Sequence, residues 1–579
     1  MSATSLFALI LSSGLAQEIP QVPGAYRGPE QERVLGADLE YRASGVLGLA
    51  SRRSGWEFWF EHEREILLRG EPDYPARAVG EDGRYGGEAW SMQRNHLLVS
   101  SLPLLVEALY TGDPALREAA ALALGRIGYP ASQSLLEAAL ADPEPAVRQA
   151  ACLGLGLLAT TEAETALRER FENTALDSAA RGFAAIGLGL SGRTGAGSSL
   201  KLHFSGLREG SREATDPVLT QAVVIAASVH GSRDFVTLLL ELAAEQAKRE
   251  GAGSVPLRVA IFQALGALGD SRATECMTGA LAESYGDLAR AAAQALGRLG
   301  DTSAVPALAD KARATHDPDV RSLCVLAIGR IGGNRATEEL VKIKPVMETD
   351  DGTSAAWMLA NGLARSKDAY ERMRGVVLAG ARADQGIKVA EASAARGDET
   401  LRSAAAIGLG LFGNPQAFEA LDAALNAAGE GDPALQGYLA TALGMLRTPQ
   451  AEERLLVLAS EASDLGAEAR RGLVMGLGVA GTERTALALA RLMVADADPE
   501  VRWTGARALA YARSNDALEV LAGDLRSCLE QERVPERAAH LVLGLGFLGD
   551  VHQGATLDGL VAGMDFLQES RLLDALRAY

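Results

Sequence analysis

The side chains that most often carry out catalysis are present in this chain but are not grouped in a catalytic pattern. Seven histidines are spread over 579 residues, and none belongs to an H-E-x-x-H pair of zinc ligands. His62 precedes Glu63, but this spacing matches no metal-binding motif and indicates a solvated helix face. No Gly-x-Ser-x-Gly segment has the strand–turn–helix context of a nucleophile elbow. The sequence therefore predicts no catalytic residue and no metal ligand.

Glycine pairs such as Gly154 and Gly156 are the second feature with a chemical interpretation, because nucleotide-binding loops are rich in glycine. These pairs lie near the ends of predicted helices, not between a strand and a helix, so the required context is missing. Asp350-Asp351-Gly352 contains calcium-type ligands, but no EF-hand spacing follows it. The sequence therefore predicts no cofactor.

Four cysteines, Cys152, Cys276, Cys324 and Cys528, lie far apart in the sequence. Two of them, Cys152 and Cys324, lie within apolar helical runs, so we expect buried free thiols rather than disulfides. Zinc ligation requires clustered cysteine and histidine, which is absent from the sequence.

The composition favours helices with small side chains. Hydrophobic residues make up 48% of the chain but aromatic residues only 5%, whereas β-sandwich strands prefer aromatic and β-branched residues. The net charge of −19 argues against a nucleic-acid partner, which needs a basic surface. After residues 1–16, no apolar run reaches the roughly 18 residues that a membrane helix needs, so we expect no membrane span.

An internal repeat organises most of the chain. The segment LALGRIG at 122–128 is followed by similar segments, and the fourth position of each copy falls at thirteen places from 125 to 546. The mean interval between neighbouring copies is about 35 residues, which is typical of stacked helical repeats. Two looser copies, at 225–231 and 359–365, predict irregular repeats or a change of curvature. Residues 191–217 and 366–400 predict insertions, the second with an extra helix.

A second motif precedes each copy by about twelve residues. Asp-Pro-x-Val-Arg or a close variant occurs at 113–117, 317–321 and 498–502. Aspartate is a favoured N-cap and proline suits the first helical position, while Gly128 and Gly300 suit the helix end. A second amphipathic run follows each of these helices. Each unit is therefore a helix–turn–helix pair that must stack on its neighbours to bury its apolar face.

These two motifs resemble those of the HEAT-repeat superfamily, especially the short bacterial repeats of the phycobilisome-lyase-like type. The resemblance implies an all-α, right-handed α-α superhelix (a HEAT/armadillo-type solenoid) of about thirteen helix pairs over residues 101–579, with an extended concave face. It also implies a structural ladder of stacked aspartate and arginine side chains between repeats. The ladder residues are Asp113, Arg117, Arg148, Asp317, Arg321, Asp498 and Arg502.

The first hundred residues do not fit the repeat. Residues 1–16 have the apolar core and small-residue end of a signal peptide, although no basic residue precedes the core. We therefore expect an exported protein, periplasmic or extracellular, with a cytoplasmic one as the alternative.

Residues 17–100 form a second N-terminal segment that is rich in aromatic side chains. Trp56, Trp59 and Phe60 share one predicted helical face, and Trp90 lies further on. The segment is interpreted as an aromatic cap that closes the first repeat. The alternative is a docking site for a partner, since tryptophan is enriched in binding hot spots.

The repeat and the missing catalytic cluster together favour a non-enzymatic scaffold that binds a protein or peptide along the concave face. A bilin-lyase-like enzyme or tetrapyrrole chaperone is the first alternative, because the resemblance includes such proteins. A structural component of a cell-surface assembly is the second.

Overall fold

The computed structural model of the protein describes residues 96–550 and two short strands before them. Within 96–550, it leaves out residues 112, 210–215, 249–254, 284–285, 348–350, 366, 380–396, 429–431, 513 and 532–534. The strands are β1 (Ala78–Val79) and β2 (Tyr85–Gly86), which pair antiparallel with Ala78 opposite Gly86.

Twenty-six α-helices follow in the described residues and alternate between two layers. The odd-numbered helices are α1 (Leu102–Leu109), α3 (Gln133–Ala139), α5 (Thr161–Glu172), α7 (Thr194–Glu209), α9 (Asp234–Ala247), α11 (Thr274–Ala280), α13 (Val305–Ala314), α15 (Gly333–Met347), α17 (Lys367–Ala379), α19 (Phe418–Ala428), α21 (Pro449–Ser460), α23 (Glu483–Ala495) and α25 (Asn515–Glu530). The even-numbered helices are α2 (Pro114–Ile127), α4 (Pro145–Leu158), α6 (Ser178–Ser191), α8 (Pro217–His230), α10 (Val255–Leu268), α12 (Gly286–Leu299), α14 (Pro318–Ile331), α16 (Asp351–Leu363), α18 (Gly397–Phe412), α20 (Pro433–Leu446), α22 (Ala467–Ala480), α24 (Pro499–Ala508) and α26 (Pro535–Leu548). The all-α class and the thirteen helix pairs are thus confirmed.

The even-numbered helices begin and end as their sequences predict. Asp113 accepts a hydrogen bond from the backbone N–H of Leu116, and Asp498 accepts one from Glu500. Both aspartates satisfy N–H groups that the first helical turn leaves without partners. Gly128, directly after α2, has φ 64°, a left-handed conformation that favours glycine and stops the helix.

The even-numbered helices pack side by side at very short distance. A Cβ atom added to Gly125 would lie 2.7 Å from the carbonyl oxygen of Gly154 on the next helix, and one added to Gly329 would lie 2.6 Å from Cα of Ala360. The same contact recurs between most neighbouring pairs, so the repeated glycine lets two backbones touch. This is the packing reason for a glycine in the middle of these helices.

The last helix packs against the first, so the solenoid closes into a ring. A Cβ atom on Gly546 of α26 would lie 2.8 Å from Cα of Ala123 on α2, which is the spacing of the other helix contacts. Arg126 of α2 also binds Asp550, with 2.8 Å between Nη1 and Oδ2. In the odd-numbered layer, α25 contacts α1. We call the contact of α26 and α25 with α2 and α1 the ring seam.

Both layers of the ring contain thirteen helices, so the layer with the shorter spacing has the smaller circumference. The even-numbered helices touch backbone to backbone, whereas successive odd-numbered helices share far fewer contacts. The even-numbered helices are therefore the inner layer. The extended concave face expected from the sequence is instead the wall of a closed ring.

The two looser copies of the repeat lie within inner helices, at 225–230 in α8 and 359–363 in α16. A Cβ atom on Gly362 would lie 2.7 Å from the carbonyl oxygen of Gly408, so α16 packs closely on α18 as in a regular repeat. In contrast, α8, which has Ser228 at this position, shares fewer contacts with α10 than most inner neighbours share. A further local expectation is wrong. Most of 191–217 is the outer helix α7 rather than an insertion. Its glycines serve packing, since a Cβ atom on Gly197 would lie 2.8 Å from Nε2 of His230.

Candidate interaction surface: the inner face of the ring

The side of each inner helix that faces the centre of the ring follows from its contacts. The repeated glycine touches the next inner helix, and the residue two positions earlier touches the previous one. The position five before the glycine faces the outer layer, as Gly505 does against Met493 and Leu489 of α23. At 100° per residue, the positions three before and one after the glycine then point towards the centre.

The positions three before the glycine form a line around the centre, which we call the central line. It is mainly aliphatic and almost wholly buried: twelve of its thirteen residues are at most 5% exposed, and Arg507 is half-buried. The central line consists of Leu122, Leu153, Ile186, Ile225, Gln263, Gln294, Leu326, Leu359, Ile407, Thr441, Met475, Arg507 and Leu543.

The positions one after the glycine form a second line nearer the C-terminal ends of the inner helices. Its residues are mostly half-buried; Ala267 is exposed. It consists of Arg126, Leu157, Leu190, Val229, Ala267, Arg298, Arg330, Leu363, Leu411, Met445, Val479, Tyr511 and Phe547. The two lines together are the inner face.

Polar groups interrupt the apolar inner face in a few places. Gln263 donates through Nε2 to Oε1 of Gln294 on the next helix at 3.0 Å, and both side chains are buried. At the ring seam, the guanidinium of Arg126 lies 4.1 Å from the ring centroid of Phe547 while it binds Asp550. Such a surface, apolar with scattered arginines, suits an apolar polypeptide that carries some acidic residues.

The predicted ladder residues lie at the N-terminal ends of the inner helices. Arg117 forms a bidentate ion pair with Asp142 of the next repeat, at 2.9 Å and 3.0 Å. Asp317 caps α14 and accepts a hydrogen bond from Arg290 of the previous repeat at 2.9 Å. Asp113 also caps its helix. These contacts link neighbouring repeats through charged groups that are largely shielded from water.

Three of the predicted ladder arginines donate to backbone carbonyl groups of their own repeat. Arg148 binds the carbonyl oxygen of Asp142 at 2.7 Å, Arg321 that of Thr315 at 2.8 Å, and Arg502 that of Ala497 at 2.8 Å. The carbonyl groups belong to the turn before each inner helix. These arginines therefore hold that turn against the helix.

Sequence reasoning missed several partners of the same kind. Arg470 forms a bidentate pair with Asp496 of the next repeat at 2.7 Å and 3.2 Å, and Arg258 pairs with Glu283 at 2.8 Å and 2.5 Å. Arg258 and Arg470 stand eight residues before the repeated glycine, as Arg117 does, and this spacing is the signal that identifies them.

An open cavity of about 330 Å³ lies away from the centre, between helices α19 to α22. Its apolar lining includes Leu425, Leu458 and Leu473. Arg454 at its edge is occupied by Asp422, with 2.6 Å between Nε and Oδ1. The lining holds no nucleophile beside a general base, so its residues do not form a catalytic arrangement.

The cysteines are free in the structure, and Cys152 and Cys324 are buried. Burial raises the pKa of each of these two thiols to about 12, so they are poor nucleophiles at neutral pH. Among the described residues, no three His, Cys, Asp or Glu side chains come together to hold a metal ion. No helix in that part of the chain is long and apolar enough to cross a membrane.

The aromatic side chains of Trp56, Trp59, Phe60 and Trp90 lie outside the described residues, as does the predicted signal peptide at 1–16. The aromatic cap, the docking alternative and export from the cytoplasm therefore stay predictions.

Comparison with known proteins agrees with the repeat architecture. A model of HEAT repeats matches residues 89–144, 102–189 and 280–360, and a model of the PBS lyase HEAT-like repeat matches 401–427. No curated protein matches the chain by sequence.

Two solved structures match parts of the chain at low overall similarity. The complex of CpcE and CpcF of phycocyanin lyase from Nostoc sp. is 22% identical, with a TM-score of 0.29, and the match covers 42% of this chain and 93% of that one. Human deoxyhypusine hydroxylase in complex with glycerol is 15% identical, with a TM-score of 0.22, over 50% of this chain and 98% of that one.

Proposed function

Because the chain is a HEAT-repeat protein, we propose that it is a non-enzymatic scaffold that binds a partner polypeptide through the inner face of its ring. The observation that carries the proposal is the apolar central line, which runs through all thirteen repeats without a catalytic group. A surface of this kind binds by burying apolar area, and its arginines select the charge of the partner.

The inner face also suits binding because it is held rigidly. Neighbouring inner helices touch backbone to backbone, and ion pairs such as Arg117 with Asp142 link one repeat to the next. A preorganised surface loses less conformational entropy when it binds a partner. The partner we propose is an apolar polypeptide segment with acidic residues.

Site-specific photo-crosslinking in the native host tests this function. A photoreactive residue at Ala267, which is exposed on the inner face, should capture a partner protein. The matched control is the same residue at Val457 on the outer helix α21, which is 43% exposed and should capture no such partner. The captured peptide should be apolar with acidic residues.

Equal capture at both positions, or capture at Val457 alone, would contradict binding through the inner face. Two substitutions test whether capture depends on the apolar inner face. Leu190→Glu on the inner face should abolish capture of the partner at Ala267, whereas Leu202→Glu on the outer helix α7 should not. Leu202 is 71% exposed, so its replacement leaves the ring intact. Protein that is purified from the host with visible absorbance would instead favour the tetrapyrrole-binding alternative.

A further inference from the structure

The inner face is more deeply buried than the ring itself explains. At the usual helix spacing of about 8–10 Å, a ring of thirteen inner helices encloses a central space about 25 Å across. That is wide enough for two helices of about 10–12 Å diameter. Side chains that faced an open space of this width would be exposed to water, yet Ile186, Ile225 and Ile407 are 0% exposed. The twenty-six helices therefore do not account for this burial.

We infer that residues 54–69, the aromatic stretch near the N-terminus of this same chain, occupy the central space and cover the inner face. The inference rests on the proposed function, because it assigns the inner face an internal occupant that an external partner must displace. The occupied ring is then the resting form of the scaffold, and displacement regulates binding.

The chemistry of the segment complements the inner face. Trp56, Trp59 and Phe60 share one face of the helix that the sequence predicts, and aromatic rings on that face would match an aliphatic wall. The same stretch contains four glutamates, at 57, 61, 63 and 65, while Arg298 and Arg330 border the central line. Apolar contact would supply the affinity, and the opposite charges would fix the orientation.

The length of the segment and its attachment also fit. In the predicted helical conformation, sixteen residues would span about 24 Å, close to the length of the fourteen-residue inner helix α2. The described part of the ring begins at His96, where Leu97 packs beside Gly549 at the ring seam. The 26 residues between 69 and 96 reach up to about 85 Å when extended, more than the radius of the ring. A segment on the same chain also has a high effective concentration.

Photo-crosslinking within the purified full-length protein tests the inference. A photoreactive residue in place of Trp59 should form crosslinks within one chain to inner-face residues of the even-numbered helices, at a yield that dilution does not change. The matched probe at Ala267 should in turn recover residues 54–69. The control probe at Leu202 on the outer layer should recover none of them.

Crosslinks from position 59 to the odd-numbered helices would overturn the inference. So would recovery at Ala267 of residues 551–579 or of a second copy of the chain, since either would be a different occupant. A concentration-dependent yield would indicate the second copy.

A second measurement does not depend on crosslinking. Trp56→Glu combined with Trp59→Glu should increase the rate of tryptic cleavage at Arg64 and Arg69 by at least about tenfold, because losing a buried aromatic contact shifts the docking equilibrium by such a factor. Leu202→Glu, at an exposed position on the outer helix α7, should change that rate less than twofold. Equal cleavage of the wild type and the double variant would overturn the inference.

The two proposals fail separately. The internal crosslinks are measured on purified protein without a partner, whereas the scaffold function is measured by capture in cells. Capture of a partner at Ala267 in cells, without crosslinks within the chain, would support the scaffold function and contradict the internal occupant. Crosslinks within the chain, without capture of a partner in cells, would support the internal occupant and contradict the scaffold function.

Discussion

At the scale of single residues, the repeated glycine has a steric function that its position in the sequence only suggests. Glycine in mid-helix costs about 1 kcal/mol relative to alanine, so its recurrence requires compensation. The compensation is the backbone contact that Gly125 makes with Gly154 and that Gly266 makes with Ala295. Residues with side chains at these positions would push the inner helices apart.

This steric function predicts that glycine-to-alanine substitutions at two different positions have opposite effects on stability. Gly125→Ala should lower the free energy of unfolding by about 1–3 kcal/mol, because the new Cβ atom would lie 2.7 Å from the carbonyl oxygen of Gly154. Gly523→Ala in α25 is the matched control, since a Cβ atom there meets nothing within 4 Å. It should raise stability by about 0.5–1 kcal/mol.

Urea titration followed by circular dichroism measures both changes. Destabilisation by both substitutions to the same extent would show that helix propensity, and not the contact between inner helices, determines the effect of glycine.

The buried thiols give a second prediction at this scale. Burial raises the pKa of Cys324 from 9.0 to about 12, so the folded protein should protect Cys324 and Cys152 from Ellman's reagent at pH 8. Both should react fully once the chain is unfolded in guanidinium. Rapid reaction of Cys324 in the native protein, followed by mass spectrometry of the labelled peptides, would contradict its burial.

The same shift predicts a loss of stability in alkali. Because the folded state holds these thiol protons more tightly than the unfolded state does, the contribution is complete below about pH 9 and is lost as the pH rises towards 12. Cys324→Ala should therefore flatten the fall in stability between pH 9 and 11, as measured by thermal unfolding.

At the scale of elements, several inner helices are fixed at their starts by ion pairs with a neighbouring repeat. Asp496 lies in the turn before α24, is 6% exposed and pairs with Arg470 of α22. An ion pair that is shielded in this way and bidentate in geometry contributes more than an exposed one. The contact therefore couples two neighbouring repeats.

Asp496→Ala should lower the free energy of unfolding by about 2 kcal/mol, since the partly buried guanidinium of Arg470 loses both hydrogen bonds. Glu453→Ala is the control, because Glu453 pairs with Arg484 where both side chains are more than half exposed. The control should leave the unfolding midpoint unchanged. If both variants unfold at the same urea concentration, the shielded pair does not couple the repeats.

The elements themselves were largely predictable from the sequence because their signals are local. Asp113 and Gly128 mark the two ends of α2, and both act within one turn of the helix. Residues 194–209 were misassigned as an insertion because their glycines and serines are typical of loops, whereas in the ring Gly195 packs against Glu164 and Gly197 against His230. Such tertiary contacts are not visible in a local pattern.

At the scale of the whole molecule, closure of the ring depends on a small rotation that is repeated many times. Thirteen repeats close when each turns by about 28° relative to the last. A change of a few degrees per repeat would leave an open superhelix with the same sequence motifs. The inner face and its burial therefore could not be derived from the repeat alone.

Charge reversal at the ring seam should open the ring. Asp550→Arg places two positive charges together where Arg126 and Asp550 are 13% and 10% exposed, and should cost about 3 kcal/mol. Small-angle X-ray scattering should then show the maximum dimension rise from about 70 Å towards the roughly 120 Å of thirteen repeats in an extended stack.

The exchanged pair, Arg126→Asp with Asp550→Arg, should restore the compact dimension, because it restores opposite charges. Asp310→Arg, at an exposed position on the outer layer, controls for the change in net charge. A compact Asp550→Arg variant would show that helix packing alone closes the ring.

Closure has a consequence for how the protein unfolds. An ordinary solenoid frays, because its terminal repeats have one neighbour each and melt before the middle. In this ring α2 packs on α26 as closely as on α4, so the first repeat has two neighbours, like every other. Amide hydrogen exchange should therefore be nearly uniform along the inner helices, without the gradient from the ends that linear arrays show. Asp550→Arg should restore that gradient, with α2 and α26 exchanging first.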